Sequence, residues 1–394
     1  MSLSPSFPLD NQVKIRSRPR QHRNRLLIVG TGFVADFYMM SLARFQNIVV
    51  LKAYDTDEKR LAAFCAYWRI EPARSLDELL QVEADLVLNL TNPKSHFAVS
   101  RFCLEAGFHV YSEKPLATSM ADAEALYALA LRKELMLASA PCSVLGEAAQ
   151  TAIAALRADR IGAVRLVYAE LDDGFLMKAP FREWRSVSGA PWPYRDELSV
   201  GCTLEHAGYY LTWLIAMFGP VETVVSASAE TIPGKLEGVD ALAADYTCAT
   251  LFFSCGVVAR LTCSIVASHD HRLRVFGEKG VLEFRHSWNN HAAVRVRKRY
   301  VLRRLLIDSP WARRVRLTGA SHPRAPRWGA TAMNFALGPV EVLTSLEEGR
   351  PCRLSTQFGL HLNEVTLAVQ EGGGCHEMRT SCSPIEPMPW AVLR

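Results

Sequence analysis

The stretch Arg25-Leu-Leu-Ile-Val-Gly30-Thr-Gly32-Phe-Val-Ala35 decides the fold. A short apolar run meets a glycine-rich turn and then a helical pattern, which reads strand, turn, helix. In Gly30-x-Gly32-x-x-Ala35 the first glycine permits the tight turn and the second lets backbone approach a pyrophosphate. The small third residue lets the helix pack closely on the strand, and the first helical N–H groups then face phosphate. A second apolar run over 48–51 leads to Asp55, 20 residues beyond Ala35. An acidic side chain there accepts from ribose hydroxyls and repels a 2′-phosphate, so NAD is expected, with NADP less favoured. Asp55 also reads as the N-cap of the next helix, with Glu58 in its first turn.

Outward from this unit the alternation continues, with helices over 57–68, 97–106 and 120–133 and strands over 85–90, 109–111 and 135–138. Strands separated by helices at this spacing predict a parallel sheet with right-handed crossovers, a Rossmann domain over 25–145. Beyond 145 the rhythm changes. After a helix over 148–158, runs rich in Val, Thr, Phe and Tyr follow one another at 164–171, 221–229, 244–253, 257–264, 273–276 and 281–284. That succession predicts an α+β domain over 146–372 with a mostly antiparallel open sheet, serving substrate binding and oligomerisation. Helical periodicity over 333–346 and 359–370 lets those segments pack back on the first domain. Residues 1–24 read as a disordered basic arm and 373–394 as a tail.

The composition of the 394 residues, 49% hydrophobic and 22% charged with 23 Gly and 20 Pro, is that of a globular protein and excludes collagen, coiled coil and global disorder. No run approaches about 18 apolar residues and the N-terminus has no apolar signal core, so cytoplasmic location without membrane contact is expected. The ten cysteines are scattered without a Cys-x-x-Cys pair and read as reduced packing thiols. The net charge is +5, yet residues 1–24 carry +4 and 295–316 carry +8, leaving −7 elsewhere. Neither basic segment shows a nucleic-acid-binding signature, and no nucleic-acid partner is expected.

Glu113-Lys114-Pro115 follows the strand at 109–111, at the sheet edge where doubly wound folds bind ligands. Here the chain resembles the glucose–fructose oxidoreductase / inositol dehydrogenase family, Gfo/Idh/MocA, from about residue 25 to 370. The ordered elements are the turn at Gly30–Ala35, Asp55, Thr91-Asn92-Pro93 with His96, Gly107-Phe-His-Val and the Glu-Lys-Pro tripeptide. A glycine-led helix start near Gly201, the turn Gly277-Glu-Lys-Gly280 and Glu347-Glu-Gly-Arg-Pro complete the set. The resemblance implies a nucleotide site of Gly30, Gly32, Phe33, Val34, Asp55, Thr91, Asn92, Pro93, His96, Glu113 and Lys114. It also implies a catalytic Lys114 and a homodimer or homotetramer.

The family's second catalytic element is Asp-x-Gly-x-His on one helix. Matched on Gly208, His206 takes the Asp position and Tyr210 the His position, and an i, i+4 pair shares a helix face. A dehydrogenase needs a base for the hydroxyl proton. Tyr210 needs a nearby cation, which Lys114 can supply, whereas His206 titrates near ~6.5 unaided; both remain candidates, as does a packed polar pair. Glu205, one residue off, is expected to point ~100° away.

Trp184, Arg185, Trp192 and Tyr194 belong to a loop whose aromatics can stack on a sugar or base and whose arginines can pair with an anionic group. His269-Asp270-His271 lacks a third ligand in sequence, and no metal is expected. The basic segment 295–316 departs from what the family shows there and reads as a solvated hairpin or an anion-docking surface. The function expected is an NAD(P)-dependent oxidoreductase acting on a hydroxyl-bearing carbon of a small sugar, polyol or sugar derivative. An NAD-retaining glycosidase of the same fold and a non-catalytic nucleotide-sensing regulator are the alternatives.

Overall fold

The computed structural model describes residues 24–236, 243–324 and 332–394, so the expected basic arm lies outside the described residues except for Asn24. The first sheet contains β1 (Asn24–Val29), β2 (Ile48–Tyr54), β3 (Glu71–Pro72), β4 (Leu86–Asn89), β5 (Val110–Ser112) and β6 (Leu137–Ser139). All pair in parallel in the order β3-β2-β1-β4-β5-β6. Helices α1 (Phe33–Leu42), α2 (Glu58–Trp68), α3 (Leu76–Leu79), α4 (His96–Glu105) and α5 (Met120–Arg132) connect the strands. Leu26 and Leu27 are both fully buried, in separate apolar clusters on the two faces of the sheet, which explains an unbroken apolar run instead of an alternating one.

The glycine-rich turn is fixed by sterics. Gly30 has φ +91, and a Cβ on it would lie 2.7 Å from the backbone of Leu90 and Thr91, so the turn passes against the end of β4. The cap of α2 is Asp57, which accepts from the Lys59 and Arg60 amides; Asp55, two residues earlier, is not the cap.

The second sheet has ten strands: β7 (Val164–Asp172), β8 (Val221–Ala229), β9 (Tyr246–Phe253), β10 (Val258–Ser264), β11 (Leu273–Gly277), β12 (Gly280–Phe284), β13 (Arg295–Leu302), β14 (Leu305–Asp308), β15 (Arg313–Arg314) and β16 (Gly374–Glu377). The order is β14-β13-β12-β11-β7-β10-β9-β8-β16, with β15 on β13; β7 and β10 pair in parallel and the other neighbours antiparallel. The segment after Gly372, read from sequence as a patternless tail, supplies the edge strand β16.

Helices α6 (Glu147–Arg157), α7 (Tyr194–Val200), α8 (Gly208–Phe218), α9 (Leu337–Glu348) and α10 (Thr356–Glu371) complete the structure. Helix α9 packs on β4, β5 and β6, while α10 touches α5 and β6 of the first domain and α8 and β8 of the second. One apolar cluster therefore runs through both domains, from Leu26 and Tyr38 to Trp213 and Phe284. That shared core sets the walls of the cleft between them.

Candidate active site

A cleft of about 890 Å³ opens at the carboxyl ends of the first sheet. Gly30, Gly32, Phe33, Val34, Asp55, Thr91, Asn92, Pro93, Glu113, Lys114, Trp184, Trp192 and His206 line it. His96, Arg185, Tyr194 and Tyr210 do not, and each has a specific reason.

His96 is buried, with Nδ1 2.6 Å from the Pro115 carbonyl and Nε2 3.0 Å from that of Thr91, so it ties the loop after β4 to the Lys114-Pro115 turn. Burial holds its pKa below the usual 6.5. Arg185 donates to the carbonyls of Arg182 and Trp184 and braces its own loop. Tyr194 packs on Phe181, ring centroids 5.4 Å apart. Trp184 and Trp192, ring centroids 5.2 Å apart, are the aromatic members of this loop that form cleft wall. The Ser188 amide and hydroxyl donate to Asp36 in the first turn of α1, and Trp68 Nε1 donates to the other Asp36 oxygen. A buried carboxylate thus fastens the aromatic loop to the nucleotide-binding domain.

Glu113 and Lys114 enter the cleft from the end of β5. Tyr38 donates to Glu113 Oε1 at 2.6 Å, and Lys114 N–H donates to Glu113 Oε2 at 3.1 Å, which orients the turn. The Lys114 ammonium pairs with Glu205. Burial opposes its charge, but the facing Glu205 carboxylate prevails and raises its pKa well above normal. Glu197, on α7, is pushed well up by burial and by repulsion from Glu205. Burial also works against the Glu205 anion, yet Lys114 holds its pKa below the usual value.

His206 meets Asp173, from the loop after β7, as a close ion pair that is not aligned as a hydrogen bond. Burial would lower the imidazole pKa; Asp173 overrides it and raises it to about 9. Asp173 is correspondingly depressed despite its own burial, because two imidazoles face it. The second is His271, whose Nε2 lies 2.6 Å from Asp173 Oδ1 and whose Nδ1 lies 3.0 Å from Ser287 Oγ. Asp173 also supplies the third donor missing from the His269-Asp270-His271 reading, since Asp173, His269 and His271 bring ligand atoms within 4.8 Å of one another. Its oxygens already face His206 and His271.

The pairing of His206 with Tyr210 needs correction. Tyr210 is fully buried, donates to the His271 carbonyl and packs on Trp213 and Phe284. Its neighbour Tyr209 lines the cleft, with a phenol pushed up by burial against the pull of Lys114. The cause is a π-helical turn at Thr203–Ala207 leading into α8. Wider i→i+5 winding shifts the register, so Glu205, His206 and Tyr209 share the cleft face. Glu205, expected to point away, is the direct partner of Lys114.

The nucleotide end fits a dinucleotide. A Cβ on Gly32, the N-cap of α1, would meet nothing within 4 Å, and no side chain caps the helix, so its first N–H groups face open space suited to phosphate. Asp55 is occupied: Oδ2 accepts from Thr31 N, Thr31 Oγ1 and Arg60 Nε at 2.7, 2.9 and 2.9 Å, and Oδ1 from Asp57 N at 2.9 Å and Arg60 Nη2 at 2.5 Å. Arg60 lines the cleft beside it.

Two family models match this chain: an oxidoreductase family with NAD-binding Rossmann fold over residues 24–140 and a GFO/IDH/MocA C-terminal domain over 149–283. The chain belongs to the GFO/IDH/MocA oxidoreductase family. Among curated members it is similar to UDP-N-acetylglucosamine 3-dehydrogenase of Acidithiobacillus ferrooxidans, 27% identical over 63% of this chain and 70% of that one. An oxidoreductase of Salmonella typhimurium is 33% identical over 38% of this chain and 52% of its own length. Among solved structures, the WlbA dehydrogenase of Bordetella pertussis, in complex with NADH and UDP-GlcNAcA, superposes with TM-score 0.69 at 18% identity, covering 92% of this chain and 99% of that one. Levoglucosan dehydrogenase, in complex with NADH and levoglucosan, gives 0.72 at 15%, covering 90% and 98%. These structural likenesses establish the GFO/IDH/MocA fold.

Proposed function

We propose that the protein interconverts a secondary hydroxyl and a carbonyl on a sugar derivative, using NAD or NADP. The observation that carries this reading is the double ion pair in the cleft, Lys114–Glu205 beside His206–Asp173, set next to an uncapped helix N-terminus suited to a dinucleotide. When bound, the nicotinamide supplies or takes the hydride. The chain's residues handle the proton and the oxygen.

Lys114, fixed as an ammonium, polarises the reacting oxygen. His206, charged near neutral pH, gives a proton to that oxygen in the reductive direction and takes it back, as neutral imidazole, in the oxidative direction. Asp173 holds the ring in place and stabilises its charge. Tyr209, with its phenol kept neutral, is placed to donate a hydrogen bond to substrate.

Trp184 and Trp192 give the sugar an apolar wall, and outside the cleft Arg182 on the same loop and Arg195 in the first turn of α7 are exposed. The relative acting on UDP-N-acetylglucosamine favours a nucleotide-linked sugar whose charged portion reaches that rim. For the cofactor, Arg60 neutralises Asp55 and brings a guanidinium to the adenosine end, so discrimination against NADP is weak. The test is a panel of nucleotide sugars, free sugars and glycosides with each dinucleotide, followed by nicotinamide absorbance and product analysis. Net NADH or NADPH formation supports the reading. Glycoside cleavage with no net change supports a hydrolase, and binding without turnover supports a regulator.

A further inference from the structure

The strands β13 and β14 form a hairpin projecting from the sheet edge, with Tyr300 opposite Ile307, Val301 opposite Leu306 and Leu302 opposite Leu305. These pairs alternate between the two hairpin faces, so both faces are apolar, and neither is covered: Val301 is 75% exposed and Leu305 and Leu306 are each 65% exposed. Trp311, 80% exposed, follows at the hairpin's base. Cations bracket the apolar zone. Arg303 and Arg304 form the turn, and Lys298, Arg313, Arg314 and Arg316 lie at the base. Among the described residues none of these six makes an ion pair, whereas Arg297 pairs with Glu283 and Arg299 with Asp308.

We propose, against the absence of membrane contact expected from hydropathy, that this hairpin docks the protein on an anionic membrane surface. Lying along the surface, the three apolar residue pairs, about 10 Å long at strand rise, set one apolar face of the hairpin into the headgroup and acyl boundary. In that pose the turn arginines meet the phosphate level at one end and the basal cations at the other, and an exposed Trp at the base suits the same boundary. Charge decides the occupant. A second copy meeting hairpin to hairpin sets two segments of +8 against each other, while a surface of anionic lipid offers both an apolar layer and the opposite charge. The attachment is interfacial. No helix of the described residues is long and apolar enough to cross a membrane.

The experiment is co-sedimentation of the full chain with phosphatidylcholine vesicles, with and without phosphatidylglycerol, alongside light scattering in solution. Binding is expected to the mixed vesicles and to weaken with salt. Arg303→Glu with Arg304→Glu should lower partitioning by at least about five-fold per residue, the worth of one basic side chain at such a surface. Val301→Asp with Leu306→Asp should abolish binding. Both variants should keep wild-type nucleotide affinity and melting temperature, since the hairpin lies outside the cleft. Partitioning indifferent to phosphatidylglycerol overturns the proposal. So does an oligomer that dissociates in Val301→Asp/Leu306→Asp, which would make the hairpin an interface between copies.

Discussion

Replacing Asp173 with asparagine removes the charge that faces His206 and keeps a side chain of nearly the same shape. The imidazole stands at about 9 against an ordinary 6.5 although burial works in the opposite direction, so the rise belongs first to Asp173. That gap corresponds to roughly 3 kcal/mol in favour of the imidazolium. At about pH 7.5 the wild-type ring is about 97% protonated, whereas a ring of pKa about 6.5 is about 9% protonated. Reduction, which draws on the imidazolium, should therefore fall about ten-fold in Asp173→Asn at that pH. The two directions have opposite signs. In the wild type, kcat/KM for reduction should decline, and for oxidation rise, as pH passes through about 9. In Asp173→Asn both limbs should move to about 6.5 or lower, because burial is no longer opposed. The assay is the pH profile of kcat/KM in both directions for wild type, Asp173→Asn and His206→Asn, the last of which should lose the limb. A limb that stays near 9 in Asp173→Asn, or survives in His206→Asn, refutes the assignment.

Four further outcomes follow from the same geometry. Lys114→Ala should reduce turnover by about 10²–10⁴-fold while titration shows nucleotide affinity within a few-fold, since the ammonium acts on the reacting oxygen. Tyr209→Phe should cost turnover with little loss of melting temperature, whereas Tyr210→Phe should do the reverse, exposing a buried His271 carbonyl without its donor at about 1–3 kcal/mol. Arg60→Ala should weaken NADP more than NAD in parallel titrations; equal loss would show that the guanidinium does not read the 2′-position. Because the folded-state pKa of His206 is raised, its stabilising contribution is complete below about 6.5 and lost as pH rises through about 9. Thermal melts should decline over that window, and the decline should flatten in His206→Asn.

The first domain is legible because its determinants are local. An apolar run, two glycines and a small residue specify strand, turn and helix within Arg25–Ala35, and the backbone clash that Gly30 avoids makes that reading obligatory. The second sheet is legible from its succession of β-rich runs, although nothing in them indicates that β7 lies between β10 and β11. The active site is less so. Asp173 precedes His206 by 33 residues and reaches it only because β7 ends beside the helix start. No local spacing encodes that contact. The family motif with regular helical geometry puts Tyr210 on the face of His206 and turns Glu205 away, and a single π-turn reverses both. Gly201, with φ +99 just ahead of that turn, is the one local hint of irregular winding.

The pairing of charges in the cleft constrains what enters it. Among the described residues, the cations that line it are Arg60, Lys114 and His206, and each already faces a carboxylate: Asp55, Glu205 and Asp173. Away from the uncapped start of α1, a substrate anion brought between the domains would have to displace one of these carboxylates, leaving it buried without its partner at a cost of several kcal/mol. A neutral sugar ring avoids that cost, because it needs only hydrogen bonds and a flat apolar surface, and the walls supply Trp184, Trp192 and Trp288. On the proposed sugar-derivative reading, the reacting ring occupies the cleft and any phosphate on the substrate lies outside it. Arg182, on the aromatic loop two residues before Trp184 and exposed, is suited to pair with such a phosphate.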